Sequence, residues 1–214
     1  AVPGGEKART GTVAEDNERR VAAYSGFLQN RFLFSDAFTA TAGVRLERIR
    51  FTRTNQLAEG GLGESGSDSL TAWVPGFGVN WLPTPSLALF AGVHRGFAPP
   101  RVEDAIDNTD SPVELDPEES WNYELGSRWN PVDGVRSELA FFHMDFENQL
   151  VPASVAGGTG ATLTNGGETR HQGLEVMGSL DVLKPAGSAH KLELSAAWTW
   201  LWTAKFEGTR YSNV

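Results

Sequence analysis

The residues predict an all-β chain: an antiparallel up-and-down meander of about eight long strands, forming part of a larger transmembrane β-barrel. Three features carry that expectation. Apolar and polar side chains alternate with period two over stretches of ten residues or more, as strands with two different faces require. Tight turns and long polar connections also alternate along the chain, the arrangement of outer-membrane barrels, with short turns on one rim and long loops on the other. Finally, tryptophans recur near the ends of the apolar stripes. The composition agrees, with 24 Gly and 7 Trp among 214 residues, 40% of which are hydrophobic. No run of 18 apolar residues exists to cross a bilayer as a helix.

Candidate strands run over about 20–34, 37–52, 70–82, 86–96, 118–130, 135–150, 168–182 and 189–205. The first stripe is Ala22, Tyr24, Gly26, Leu28, Phe32 and Phe34. In the second, Phe38, Ala40, Ala42, Val44 and Leu46 stand opposite Thr39, Thr41, Arg45 and Glu47. The third gathers Trp73, Phe77, Val79 and Trp81. The fifth sets Trp121, Tyr123, Leu125 and Trp129 against Asn122, Glu124, Arg128 and Asn130. The seventh sets Leu174, Val176, Leu180 and Val182 against Glu175 and Asp181. The eighth sets Leu192, Leu194, Trp198, Trp200 and Trp202 against Glu193, Ser195 and Thr199. The stretch 135–150 is the exception, since Leu139, Phe141, Phe142 and Phe146 fall on both parities. Ser35-Asp36, Pro83-Thr84-Pro85, Pro131 to Gly134 and Lys184 to Ser188 read as tight turns, rich in the residues that hairpin turns need. The segments 53–69, 97–117 and 151–167 read as long loops. Three such loops are rare in a compact soluble domain.

Trp73 and Trp81 are eight residues apart, as are Trp121 and Trp129. At about 3.3 Å per residue and a tilt near 40°, eight residues cover roughly 20 Å of the bilayer normal. That approximates the separation of two aromatic girdles around an apolar band of about 25 Å. A soluble β-sandwich or adhesin module also alternates its faces and is the competing reading, but its strands average about five or six residues. The opening Ala1-Val2-Pro3-Gly4 lacks the layout of a signal peptide, and the polar Gly208 to Asn213 follows an outward strand. Residues 1–214 are therefore expected to be an internal, partial barrel domain.

Zero cysteines exclude a disulfide scaffold, a thiol nucleophile and a cysteine-held metal. A net charge of −9 argues against a nucleic-acid partner. His94, His143, His171 and His190 have no metal-ligand spacing. Asp104, Asp107, Asn108 and Asp110 lack the spacing and closing Glu of a calcium loop. Ser154 has no Gly-x-Ser-x-Gly context, and no pair of carboxylates has a cleft argument. No enzyme, cofactor or metal site is read.

Several segments resemble a known family. Gln29-Asn30-Arg31-Phe32, leading through Ser35-Asp36 to Thr39-Ala40-Thr41-Ala42-Gly43-Val44-Arg45-Leu46-Glu47, is similar to a strand pair of TonB-dependent outer-membrane receptors. So are Leu89 to Pro100, Glu119 to Gly126, and Asn165 followed by Gly173-Leu174-Glu175. Asp145 to Ser154, with Asn165 to Glu175 after it, resembles the ferric dicitrate subgroup in particular. The resemblance implies a barrel of the 22-strand type with an N-terminal plug, a location in a Gram-negative outer membrane, and uptake of a ferric chelate with energy relayed by TonB. Plug, TonB-contacting box and barrel closure are not among these residues.

Recognition belongs on loops held by a rigid scaffold. A ferric citrate or siderophore complex carrying carboxylates suits forked arginine donors. Arg95, Arg101 and Arg170 are the candidates at the loop rim, with His94 and His171 beside them and Gln149 at the top of the sixth strand. For each arginine the alternative is a solvated loop charge or a lipopolysaccharide contact. Against the ligand reading stand Glu103, Asp104, Asp107, Asp110, Glu114 and Asp116 in the 97–117 loop. Arg45, Glu47, Glu124, Arg128 and Glu175 read as a polar wall, whose plainer meaning is structural ion pairing. The expected partners are a ferric chelate, TonB through the plug, and outer-membrane lipid with lipopolysaccharide. A passive porin-like or structural barrel remains the rival among membrane readings.

Overall fold

The computed structural model describes residues 16–56, 64–101, 106, 116–152, 163–165, 167–184, 187 and 189–207. Its strands are β1 (Asn17–Leu33), β2 (Phe38–Asn55), β3 (Glu64–Thr84), β4 (Leu87–Ala98), β5 (Glu118–Trp129), β6 (Val135–Glu147), β7 (Leu150–Pro152), β8 (Leu163–Asn165), β9 (Glu168–Asp181) and β10 (Glu193–Glu207). Eight of them form one sheet in the order β1-β2-β3-β4-β5-β6-β9-β10, and β7 and β8 pair separately. Every pairing is antiparallel. The long strands match the predicted ones. β2 and β3 run further than expected, which shortens the connection between them. The small β7–β8 hairpin joins the end of the expected sixth strand to the 151–167 loop, where no alternation marks it.

The turns are closed by the residues that mark them. Ser35 Oγ accepts from the amides of Ala37 at 3.3 Å and Phe38 at 3.0 Å, tightening the β1–β2 turn. Gly134 takes φ 85° in the β5–β6 turn, where a side chain would be strained. Asp181 Oδ1 accepts from the amides of Leu183 (3.3 Å) and Leu192 (3.2 Å), holding the β9–β10 turn.

Cross-strand partners share a face, so the register fixes which side each residue occupies. One face carries Leu28, Val44, Pro75 and Phe77 on β1–β3. It continues through Val93, Tyr123, Leu125, Phe141, Leu174 and Trp200. This face is bare: Trp73 is 58% exposed, Leu125 61% and Trp198 57%. The buried hydrophobic cluster among the described residues is small, consisting of Ile49, Phe51 and Ile106 with Leu70 and Phe97 against it. A sandwich would seal its indoles and leucines between two layers. Here a single sheet presents them outward, which rules out the sandwich reading and suits a surface solvated by hydrocarbon.

The double parity of β6 resolves into two roles. Leu139 and Phe141 face outward with Val176 and Leu174, whereas Phe142 and Phe146 face inward. Phe142 lies over Gly173, its direct partner on β9, and Phe90 on β4 lies in the same way over Gly126 on β5. Each aromatic ring fills the space its glycine leaves, and an added methyl would strike ring and neighbouring backbone. Gly173→Val is therefore expected to destabilise the folded barrel by about 1–3 kcal/mol. Urea titration of the heat-modifiable folded band on gels should show it, and Gly178→Val, whose Cβ would meet only ordinary contact with Arg136 O at 3.8 Å, should be milder.

The indoles of β10 depart from simple alternation at one point. A bulge between Leu201 and Thr203 shifts the register. Trp202 stacks on outward Phe141 with ring centroids 5.6 Å apart, and beyond it Thr203 rather than Ala204 takes the outward side.

Candidate functional site

The inward face is where solute chemistry belongs, because the opposite face meets lipid. Two of its arginines are held in structural bridges. Arg45 Nε donates to Glu47 Oε1 at 2.5 Å. Arg128 binds Glu138 through Nε at 2.8 Å and through a second nitrogen at 3.3 Å, and its guanidinium lies 4.6 Å from the Phe90 ring centre. The polar wall expected from parity is present, with Arg45, Glu47, Glu124, Arg128 and Glu175 inward. The Arg45 and Arg128 contacts favour a structural role.

Two inward features lie on the side of the wall nearer β4 and the long loops or span its upper part. The first is a hollow of about 490 Å³ over β1–β4, whose floor is backbone because Gly43, Gly76, Gly78 and Gly92 contribute no side chain there. Gln29, Arg45 and His94 border it. Gly43 pairs with Gly76 and Gly78 with Gly92, so the bare area crosses three strands. A surface without side chains lets another chain segment or a solute approach the main chain closely.

The second is a row higher on the wall, towards the long loops. His94 pairs with Asn122, Asn122 with Met144 and Met144 with His171, so four side chains on four strands project inward at one level. Asn122 Nδ2 donates to Ser120 Oγ at 3.0 Å, which orients the amide. His171 meets Phe146 edge-on at 5.7 Å. Three strand spacings separate the two imidazoles, about 14 Å, too far to share one metal ion. They can instead contact two parts of one large solute.

The six candidate ligand residues divide over both faces. His94 and His171 are inward. Arg95 and Arg170 are outward, in the row Arg95–Trp121–Asp145–Arg170–Lys205. Arg95 is paired with Glu119, and Arg170 Nε donates to Asp145 Oδ1 at 2.6 Å. Asp145 in turn meets His143 Nε2 at 2.7 Å, and Gln172 joins His143 Nδ1 at 2.7 Å and accepts from Thr203 at 2.9 Å. This outward network on β6, β9 and β10 lies above the apolar band, remote from the lumen. The signal was present in the sequence: Arg95 shares parity with Leu89 and Val93, and Arg170 with Leu174 and Val176. Arg101 lies exposed just past β4, and Gln149 follows β6, its amide donating to Gly167 O at 3.1 Å.

Part of the long β4–β5 connection turns towards the wall. Ile106 is 1% exposed and packs on Ile49 and Phe51, inward residues of β2. Glu103, Asp104, Asp107, Asn108, Asp110 and Glu114 lie outside the described residues, as does Ser154, whereas Asp116 is exposed just before β5.

Residues 3–214 match the family described as TonB dependent receptor-like, beta-barrel. The metal-pseudopaline receptor CntO of Pseudomonas aeruginosa is 31% identical over 163 residues, covering 75% of this chain and 22% of its own length. The chain thus spans about a fifth of the curated relatives it matches. Among solved structures, the ferric citrate transporter FecA in its unliganded form superposes with a TM-score of 0.72 at 22% identity, covering 94% of this chain and 29% of FecA. The siderophore receptor PiuA from Acinetobacter baumannii gives 0.68 at 18% identity, covering 91% and 27%. The match over residues 3–214 makes the chain a member of the TonB-dependent receptor family, and its one-layer wall, apolar outside and polar inside, has the fold of part of a larger outer-membrane β-barrel of the 22-strand type.

Proposed function

We propose that this chain forms part of the wall of a receptor that imports a ferric chelate, a siderophore or ferric dicitrate, with energy relayed by TonB through a plug domain in the rest of the receptor. Residues 1–214 would make one barrel-wall domain. The observation that carries the reading is the inward face itself, where a glycine-floored hollow adjoins the His94–Asn122–Met144–His171 row beneath the long loops. The hollow gives a plug segment room to lie close to the wall and to slide when pulled. The row, with Arg101 and Gln149 above it, supplies the contacts to a chelate with carboxylate or carbonyl oxygens. The work is binding and gated passage, without a covalent step. Support also comes from the named relatives, a ferric citrate transporter, a siderophore receptor and a metal-pseudopaline receptor. The ferric dicitrate likeness of Asp145 to Ser154 favours citrate among the cargoes.

Uptake of iron-labelled ferric dicitrate and of a hydroxamate chelate by cells carrying the complete receptor tests the reading. Uptake should fall to the vector-only background when TonB is deleted. Persistence of uptake without TonB would replace the receptor with a passive, porin-like channel. TonB-dependent uptake of hydroxamate alone would keep the receptor and remove citrate.

A further inference from the structure

Outward-facing cations on a barrel wall are costly near the hydrocarbon edge unless an anion meets them. On this sheet three of them have one. Arg20 contacts Glu18, Arg95 contacts Glu119 and Arg170 contacts Asp145. Among the described residues Lys205 of β10 stands without one, and so do Arg48 and Arg50. Both are exposed and outward on β2, where Arg48 stands between Tyr24 of β1 and Thr71 of β3, and Arg50 between Ala22 and Ser69. No carboxylate comes to either from among the described residues, and both flanking strands offer only apolar groups or hydroxyls at that level. The neighbouring acids Glu47 and Asp68 point to the inward face.

Height decides what can reach them. Leu46 and Trp73 are partners in the last apolar row of β2–β3 on the long-loop side. Arg48 follows two residues on and Arg50 four. At about 3.3 Å per residue and a tilt near 40°, that puts them roughly 5 and 10 Å above the apolar edge. This is the headgroup zone of the leaflet facing the long loops, not the aqueous space above it. Two like charges two residues apart repel, so each disfavours the other unless a shared anion lies between them.

We propose that Arg48 and Arg50 form a binding site for the phosphate group of an anionic lipid in the outer leaflet, with the hydroxyls of Tyr24, Thr71 and Ser69 as additional donors. The acyl chains of that lipid would lie down the Leu46–Trp73 stripe. Planar guanidinium donors suit phosphate oxygens in two-pronged contacts, and the site needs nothing from the lumen or the loops.

The test uses the complete receptor in phosphatidylcholine nanodiscs, titrated with diphosphoryl lipid A and with the same lipid after enzymatic dephosphorylation, and read as bound lipid by native mass spectrometry. The wild-type receptor should hold the phosphorylated form far more tightly. The double variant Arg48→Gln, Arg50→Gln should bind it about 30-fold more weakly. Arg48→Lys with Arg50→Lys should restore only part of the affinity, because an ammonium keeps the charge and loses the two-pronged contact. Equal binding of the two lipids by wild-type protein would overturn the proposal, and that arm requires no variant to fold. So would unchanged affinity in the glutamine variant, or displacement of the lipid by millimolar inorganic phosphate, which would mark a free-anion site.

Discussion

Leu125→Arg is expected to cost the folded barrel about 2–4 kcal/mol, the penalty of a cation at the bilayer midplane. Leu125 lies midway between Trp121 and Trp129, is 61% exposed and shares its face with Ala91 and Phe141. Its neighbour Glu124 faces inward, beside Gly92 and Phe142. Glu124→Arg should therefore cost well under half as much, since its side chain stays on the wetted side. Folding of the complete receptor into vesicles, followed by urea titration of tryptophan emission, measures both. Equal losses would mean that the two faces meet the same solvent, and the membrane reading of this sheet would go with them.

Loss of both imidazoles is expected to weaken cargo binding by about 10- to 100-fold, from hydrogen bonds to a charged ligand of about 1.5–3 kcal/mol in total. The variant is His94→Ala with His171→Ala, and the measurement is retention of iron-labelled chelate by the complete receptor in detergent. Arg95→Ala and Arg170→Ala serve as the contrast. Their side chains face away from the lumen and already hold Glu119 and Asp145, so affinity should stay within about twofold. If the arginine variants lose binding and the histidine variants keep it, cargo contacts the upper outside of the wall or the loops, and the inward row has no part in recognition.

The sequence made some of this legible and hid the rest for definable reasons. Alternation is a property of one strand, so the outward stripes through Trp73–Trp81 and Trp121–Trp129 could be read directly. The inward charges Arg45, Glu124 and Arg128 followed from the same parity. Nearness to the loops groups Arg95 and Arg170 with the histidines, whereas parity separates His94 from Arg95. Phe142 and Phe146 looked anomalous because their reasons, Gly173 and His171, sit on β9, more than twenty residues along the chain. The bulge that redirects Thr203 left no mark in the local pattern. The inward packing of Ile106 could not be seen either, because the apolar residues scattered through this acidic loop carry no period.

What the residues determined unaided was the period-two division of each ribbon into an apolar and a polar side, because the alternation is built into the extended backbone and needs no partner. Which side chains stand at one level was decided only when strands paired. The His94–Asn122–Met144–His171 row, the shared glycine floor and the unpartnered Arg48 and Arg50 all depend on register, a relation between distant segments fixed by turns, bulges and side-chain fit across strands.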